Sequence, residues 1–175
     1  MKSKKSVAVW LVATGGEFAG KVLLQQRAST EMVDGVEKPQ AYPFVCQPTW
    51  NEKVEGREKL TETIRRGAIE ELGKSFGNYY YSPLVSLGAE NFSYGGVRFI
   101  GLNFIGLITE GQLKLVKLHA GAMPEFIAIG NGDIPNVKVT TDLQREPEKE
   151  VVLFPDQWKI LRRLFDLKDV LMHLR

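Results

Sequence analysis

Residues 58–74, with the sequence EKLTETIRRGAIEELGK, decide the fold of this chain. The apolar residues of this stretch recur every four positions, a spacing that predicts a helix over residues 59–72. The predicted buried stripe consists of Leu60, Ile64, Ala68 and Leu72. The adjacent carboxylates Glu70 and Glu71 lie outside this stripe, so we expect them to point away from the core.

The two carboxylates also suggest a chemistry. Mg²⁺ and Mn²⁺ prefer oxygen ligands and commonly bridge from protein carboxylates to the phosphates of a substrate. Arg66 lies four residues before Glu70, where an ion pair on one helix face is expected. The spacing therefore indicates phosphoanhydride chemistry. For the helix alone, an ordinary solvated face with charged side chains is the alternative interpretation.

The same stretch resembles the Nudix box, a motif of Gly, Glu, Arg-Glu, an apolar residue, Glu-Glu and Gly at fixed spacings. The matching residues are Glu58, Arg66, Ala68, Glu70, Glu71 and Gly73. Three positions differ: the opening Gly is Glu52, the Glu after the Arg is Gly67, and the final apolar residue is Lys74. In the family, the Glu at the position of Gly67 lies on the metal-binding helix, so its absence bears on catalytic competence.

A second, independent resemblance lies upstream of the box. Residues 22–27, VLLQQR, resemble the strand that precedes the box in many Nudix proteins, where an Arg follows an apolar strand end. Residues 6–14 are rich in β-branched and aromatic residues and end at two glycines, so they predict a strand and a turn, with residues 21–26 as the hairpin partner. The polar residues 28–42 predict a surface loop placed to close over a substrate.

The rest of the chain predicts further strands and one more helix. The strand-like segments are residues 79–87, 97–108, 113–118 and 126–129, with a glycine-rich turn at 91–96. Residues 155–174 predict an amphipathic helix. Strands on both sides of one helix, with another helix at the end, predict an α/β fold whose mixed sheet is covered on two faces. The Nudix resemblance implies the same architecture, an α/β/α sandwich with a mixed β-sheet.

Composition narrows the class of protein. The 175 residues are 43% hydrophobic, which suffices for one domain with a sizeable core, so a single domain over residues 1–175 is expected. A net charge of +2 does not favour nucleic acid as a partner. We find neither a signal-peptide pattern nor an apolar run near the roughly 18 residues of a membrane span, so we expect no membrane association. The single cysteine, Cys46, fits a small buried residue in a reducing cytoplasm.

The Nudix resemblance implies metal-dependent cleavage of a phosphoanhydride in a nucleoside diphosphate derivative, by a pyrophosphohydrolase. Its catalytic residues would be Glu70 and Glu71, which bind Mg²⁺ or Mn²⁺, together with Glu58 and Arg66, which orient the helix and loop. The general base is unassigned, because the Glu that would serve is Gly67 here. The alternative is a catalytically weakened Nudix domain that binds a nucleotide or a protein partner. A homodimer is left open.

Without a side chain at Gly67, the metal face has a predicted gap that another carboxylate would fill. The candidates are Glu52, Glu55 and Glu62 nearby in sequence, and Glu146, Glu148 and Glu150 in a later loop. The later loop is the preferred source, because the resembling family often supplies one further carboxylate from a distal loop.

Several other residues receive a structural interpretation. The aromatic residues 79–81 are expected to pack rather than to stack on a nucleobase, whereas Phe92 and Tyr94 are weak candidates for substrate contact. His119 and His173 are too far apart in sequence for a recognisable metal motif, so we interpret them as structural. Isopentenyl diphosphate isomerases share the Nudix fold but use a histidine-rich metal site with a catalytic Cys. No histidine precedes His119, so that enzyme class is disfavoured.

Overall fold

A computed structural model describes residues 3–80, 82–94, 96–139 and 150–173. Its helices are α1 (Leu60–Leu72), α2 (Lys74–Tyr79), α3 (Glu110–Leu113) and α4 (Pro155–His173), with 3-10 turns at Gly16–Phe18 and Asn131–Asn136. Its strands are β1 (Lys4–Ala13), β2 (Val22–Gln26), β3 (Thr30–Val33), β4 (Val36–Pro39), β5 (Cys46–Gln47), β6 (Trp50–Lys53), β7 (Val85–Tyr94), β8 (Val97–Ile108), β9 (Ile127–Ile129), β10 (Lys138–Val139) and β11 (Val152–Leu153).

A seven-stranded sheet carries the fold. Its main path has the order β5-β2-β1-β8-β7, while β6 also pairs with β1 and β9 with β2. Strands β1 and β8 run parallel, with Val9 opposite Phe104. The other pairings of this sheet are antiparallel, including the predicted hairpin of β1 and β2, in which Leu11 lies opposite Leu23. The sheet is therefore mixed, as predicted.

Both faces of this sheet are covered by helices. Successive side chains of a strand point to opposite faces, so a strand buried on both sides is apolar throughout. In β1, Trp10 belongs to a core with Leu161 of α4, whereas Leu11 belongs to a second core with Leu72 of α1. The predicted α/β/α arrangement is confirmed. None of the helices in the described residues is long and apolar enough to cross a membrane.

The predicted loop over residues 28–42 is wrong in part. It contains the hairpin of β3 and β4, in which Thr30 lies opposite Pro39. The two residues between these strands, Asp34 and Gly35, have φ values of 53° and 76°. Positive φ at both central positions defines the tight turn that Asp-Gly favours, so the sequence did contain a signal for this hairpin.

Three other predicted segments differ from the structure. Tyr79 ends α2 and β7 begins only at Val85, so residues 79–80 are not strand. Tyr80 instead packs against Trp50, with ring centroids 5.8 Å apart, which agrees with the expected packing role; Tyr81 lies outside the described residues. Residues 91–94 continue β7 rather than forming a turn, and residues 114–118 follow α3 without strand structure.

Candidate active site

Arg66 lies at the centre of a cluster of carboxylates. Its Nη1 is 3.2 Å from Oε2 of Glu52 and 3.3 Å from Oε2 of Glu70, and its Nη2 is 3.0 Å from Oε2 of Glu58. The Nη2 group also donates a hydrogen bond of 2.7 Å to the backbone carbonyl of Lys53. The ion pair with Glu70 expected from the spacing is present. One guanidinium thus connects β6, the loop before α1, and α1 itself.

Glu58 is held as an anion by several donors. Its carboxylate accepts hydrogen bonds from Arg66 Nε at 3.0 Å, from the Thr63 hydroxyl at 2.9 Å and from the backbone N–H of Glu55 at 3.2 Å. These bonds, chiefly the one from Arg66, lower the pKa of Glu58 from 4.5 to about 2. Charge-assisted hydrogen bonds of this kind fix geometry as well as charge. Glu58 therefore connects the loop before α1 to the helix.

The gap predicted at Gly67 is filled by β6, and Glu52, one of the predicted candidates, contributes to filling it. A Cβ built on Gly67 would lie 2.9 Å from Cβ of Glu52 and 2.9 Å from Cδ1 of Trp50. Trp50 and Glu52 are two residues apart in β6, so both point to the same face of that strand, toward α1. The missing side chain lets α1 approach β6 at this point. The space above Gly67 is occupied by β6.

The buried stripe of α1 also differs from the prediction. Gly67, expected on the metal face, is buried, as are Thr63, Ala68 and Leu72. Leu60, expected in the stripe, is 36% exposed. The stripe includes Gly67, where α1 packs on Trp50 and Glu52 of β6, and a count of apolar residues does not reveal the position of a buried glycine.

The neighbouring carboxylates of α1 have different surroundings. The side chain of Glu70 is 53% exposed and lies beside Arg66. The pKa of Glu70 is raised, first by partial desolvation and then by the adjacent Glu52 carboxylate. The side chain of Glu71 is only 20% exposed and contacts His119, with 2.8 Å between Oε2 and Nε2. Neither Glu70 nor Glu71 is among the buried residues of α1, in agreement with the prediction that they lie outside its core-facing stripe.

His119 is held against Glu71 by its own backbone. Its N–H donates to the Glu71 carbonyl at 3.1 Å, and its Nδ1 accepts the N–H of Gly121 at 3.1 Å. Because Nδ1 is an acceptor, the proton of a neutral ring belongs on Nε2, which faces Glu71. The contact between Nε2 and Oε2 is close but not aligned as a hydrogen bond, and in the described part of the chain neither buried atom has another hydrogen-bond partner.

A hydrogen-bonded chain extends from His119 to the strand that precedes the box. The buried Gln40 donates to the carbonyl of Gly121, and its Oε1 accepts a hydrogen bond of 2.7 Å from Arg27 Nε. A Cβ on Gly121 would lie 2.8 Å from Cε1 of His119 and 2.9 Å from Nε2 of Gln40, so this packing requires glycine. The two stretches with Nudix resemblance are thereby joined. Sequence reasoning missed Gln40 and His119, since only the fold brings them together.

A cavity of about 700 Å³ opens beside these residues. Its charged lining includes Arg27, Glu52 and Glu71. Its aromatic lining consists of Tyr42, Phe92, Phe99 and Phe154. The rings of Phe92 and Phe99 are stacked with centroids 5.2 Å apart, and Tyr42 meets Phe154 edge to face at 5.3 Å. The volume lies in the range of small-molecule sites. Nothing is described for the side chain of Tyr94.

Two further acidic or nucleophilic groups line the cavity. Burial raises the pKa of Asp156, at the start of α4, which sequence reasoning did not single out. Burial also raises the pKa of the Cys46 thiol to about 12. Since the thiolate is the nucleophilic form, burial disfavours Cys46 as a nucleophile, and its side chain is fully buried, as expected.

The preferred source of a further carboxylate, the later loop, lies largely outside the described residues. Glu146 and Glu148 belong to the segment 140–149, which the structure does not describe. Glu150 is described, and its carboxylate pairs with Nζ of Lys138. The loop hypothesis therefore stays a prediction for Glu146 and Glu148.

The donor set suits a divalent cation shared with phosphate. Within the described ranges, no three His, Cys, Asp or Glu side chains converge to enclose a metal ion by themselves. Mg²⁺, however, is usually bound by one or two carboxylates, with waters and substrate phosphates completing its shell. Within the described residues, Glu71 Oε2 is buried and contacts His119 Nε2 at 2.8 Å without an aligned hydrogen bond, and three carboxylates surround the single guanidinium of Arg66. An uncompensated negative charge next to the cavity fits such an ion.

No protein-family model matches this sequence, and no curated protein matches it either. Solved structures do resemble it. A mutT/nudix family protein from Listeria innocua has a TM-score of 0.62 at 16% identity, covering 100% of this chain and 99% of that one. The NUDIX domain of Shewanella oneidensis NrtR, in complex with ADP ribose, has a TM-score of 0.60 at 12% identity, covering 95% and 88%. The MutT protein from Methanosarcina mazei Go1 has a TM-score of 0.57 at 19% identity, covering 97% and 96%.

These likenesses show the fold. The chain is an α/β protein with a mixed sheet between helices, and that architecture is the Nudix fold. The fold predicted from residues 58–74 is thus confirmed.

Proposed function

We propose that this protein is a Nudix-type hydrolase that cleaves a phosphoanhydride bond in a nucleoside diphosphate derivative, with Mg²⁺ or Mn²⁺ as cofactor. One observation carries the proposal: Glu71 of the box lines a cavity of about 700 Å³ together with Arg27 and four aromatic side chains. Carboxylate, guanidinium and aromatic groups are the chemistry that a metal, a phosphate and a nucleobase require.

The substrate class is supported by the cavity and by the neighbours. Aromatic rings accept any nucleobase by stacking, while Arg27 suits a phosphate through its planar donors. Among the neighbours, the Shewanella domain is complexed with ADP ribose, itself a nucleoside diphosphate derivative. The C. elegans neighbour, with a TM-score of 0.54 and 13% identity, is an Ap4A hydrolase.

The residues of the box would have different roles in binding and positioning the metal. Glu70 and Glu71 would hold the metal, which when bound neutralises phosphate charge and lowers the pKa of a coordinated water. Arg66 keeps the Glu70 carboxylate in place through the ion pair at 3.3 Å. His119 packs on Glu71 from the opposite side, with 2.8 Å between Nε2 and Oε2, and so limits the positions open to that carboxylate.

A screen for product release tests this proposal. The panel contains nucleoside triphosphates, dinucleoside polyphosphates, nucleotide sugars, ADP-ribose and NADH, each with Mg²⁺, with Mn²⁺ and with a chelator. We expect release from at least one compound, dependent on the metal. Absence of release from all of them, with the protein folded, would contradict a hydrolase acting on this substrate class.

A second candidate function is a nucleotide-binding or protein-interaction module without turnover. It is favoured by Gly67, which takes the place of a box Glu, and by the lack of a three-ligand cluster among the described residues. Equilibrium dialysis with the same panel separates the two candidates. Tight binding of a nucleotide that is recovered intact, with and without metal, supports the module and opposes the enzyme.

A further inference from the structure

Two of the three departures from the Nudix motif are in contact with each other. Glu52 stands where the motif has its opening Gly, and Gly67 stands where it has the Glu after the Arg. In the structure, a Cβ at position 67 would lie 2.9 Å from Cβ of Glu52. Relative to the motif, glutamate and glycine have therefore exchanged places across one contact between β6 and α1.

The exchange keeps a carboxylate at this contact. Glu52 Oε2 lies 3.2 Å from Nη1 of Arg66, and Glu70 Oε2 lies 3.3 Å from the same nitrogen. The other oxygen of Glu52 accepts a hydrogen bond of 2.7 Å from the backbone N–H of Lys53. The Glu52 side chain is 16% exposed and lines the same cavity as Glu71. Glu52 is thus fixed between the box helix and the cavity.

The other nearby candidates are occupied elsewhere. Glu62 Oε2 accepts the backbone N–H of Lys59 at 2.8 Å, which places it at the first turn of α1. Glu55 is exposed in the loop before α1, and it is Glu58 that pairs with its backbone N–H. Among the carboxylates near the box in sequence, Glu52 is the one whose side chain contacts both Gly67 and Arg66.

We propose that Glu52 is a metal-binding carboxylate of this site, supplying from β6 the charge that α1 lacks at position 67. The inference rests on the proposed function, since it names a further residue for the same metal. In this proposal, the Glu gained at position 52 replaces the Glu missing at position 67. Gly67 is then required because the side chain of Glu52 occupies the space that a side chain at position 67 would need.

Direct measurement of Mn²⁺ binding tests the proposal without any substrate. Electron paramagnetic resonance of free Mn²⁺ is recorded during titration of the full chain, for wild type, Glu52→Gln, Glu71→Gln and Glu17→Gln. Glu17 is exposed in the turn between β1 and β2, away from the cavity lining, and serves as the matched control. We expect Glu52→Gln to weaken Mn²⁺ binding by about tenfold or more, and Glu17→Gln to leave it unchanged.

Loss of the ion pair with Arg66 is a structural consequence of Glu52→Gln that must be separated from loss of a ligand. Glu58→Gln removes a pair with the same guanidinium at 3.0 Å and is the comparison. If Glu52 binds the metal, Glu52→Gln weakens binding far more than Glu58→Gln. Equal weakening in the two variants would overturn the proposal and leave Glu52 as a partner of Arg66 only.

The remaining outcomes distinguish this inference from the proposed function. Binding that is lost in Glu71→Gln but retained in Glu52→Gln overturns the Glu52 assignment and leaves the hydrolase proposal intact. No Mn²⁺ binding by wild type in the presence or absence of ADP-ribose overturns both. A gain in binding when Gly67→Glu is added to Glu52→Gly would further support the exchange.

Discussion

The two sides of α1 carry neighbouring carboxylates in opposite surroundings. On one side Glu70 lies among charges, with Arg66, Glu52 and Glu58 all within one cluster. On the other side Glu71 faces His119, which is fixed by backbone contacts and linked through Gln40 to a distant strand. A one-residue step along the helix thus separates an electrostatic cluster from a packed hydrogen-bonded chain. Substitutions around Glu70 and Arg66 should therefore change the charge and the pH dependence of the protein. Substitutions around Glu71 and His119 should instead change the position of the Glu71 carboxylate.

The largest expected effect on stability concerns the contact between Gly67 of α1 and β6, next to the charged cluster around Arg66. Gly67→Ala places a Cβ 2.9 Å from both Glu52 and Trp50. Overpacking costs about 1–3 kcal/mol, while Ala in a helix gains about 1 kcal/mol over Gly, so we expect lower stability by up to about 2 kcal/mol. Urea unfolding measures this. Gly132→Ala, which has open space, is the control; equal stability of the two variants would contradict the close packing of α1 on β6.

His119 provides the corresponding test for the packed side. His119→Ala removes the ring beside Glu71, and the loss of a group that orients a ligand typically costs about tenfold or more in activity. We expect kcat to fall by about that factor with little change in KM. His119→Gln, which keeps an N–H near the position of Nε2, should recover part of the loss. His173→Ala, at the exposed end of α4, is the control. If His119→Ala only lowers stability, the orienting role is wrong.

The aromatic lining should show a smaller effect, confined to binding. Phe92→Leu keeps an apolar side chain but removes the ring that stacks on Phe99 at 5.2 Å. Aromatic contacts are worth about 0.5–1.5 kcal/mol beyond their buried area, so KM should rise about two- to tenfold with kcat unchanged. Tyr79→Leu, 64% exposed at the end of α2, is the control. An unchanged KM would show that the nucleobase of the substrate does not bind against Phe92.

The smallest expected effect is a difference between Glu58 and Glu70 in how their contributions to stability depend on pH. The pKa of Glu58 falls from 4.5 to about 2, so its stabilising contribution is present above pH 4.5 and is lost as the pH falls through about 2. The pKa of Glu70 is raised, so its ionised form destabilises the folded state. This destabilisation is removed when acid protonates the carboxylate.

Urea unfolding at several pH values compares these two carboxylates. We expect Glu58→Gln to be less stable than wild type near neutral pH, with a difference that shrinks in acid. Glu70→Gln should be at least as stable as wild type near neutral pH. A pH-independent difference for Glu58→Gln would contradict its lowered pKa.

The same contrast explains what the sequence could predict. The pairs that Arg66 forms with Glu58 and Glu70 lie within one helix and the loop before it, so their spacing can be recognised in the sequence. The apolar periodicity likewise predicts α1, β8 and α4. The hydrogen bonds that connect Arg27 to His119 through Gln40 could not be predicted from the sequence, because they join segments that lie far apart in it. The strand predicted near Tyr80 failed because an aromatic residue that packs on Trp50 looks the same in a helix end and in a strand.

Glu52 was one of several candidates for a further carboxylate, and nothing in the sequence favoured it over the later loop. Its place and that of Gly67 were both visible as departures from one motif, yet only the fold shows that they touch. The hairpin of β3 and β4 is similar, since Asp34 and Gly35 are a strong turn signal inside a segment dominated by polar residues.

The most direct test of the central claim compares Glu70→Gln, Glu71→Gln and the control Glu17→Gln in a metal-dependent assay on the best substrate of the panel. We expect Glu71→Gln to lose turnover by a factor of at least about a hundred while remaining folded, and Glu17→Gln to keep wild-type activity. Glu70→Gln should be reduced as well, without loss of stability. Wild-type turnover in Glu71→Gln would contradict the assignment of this cavity as a hydrolase active site.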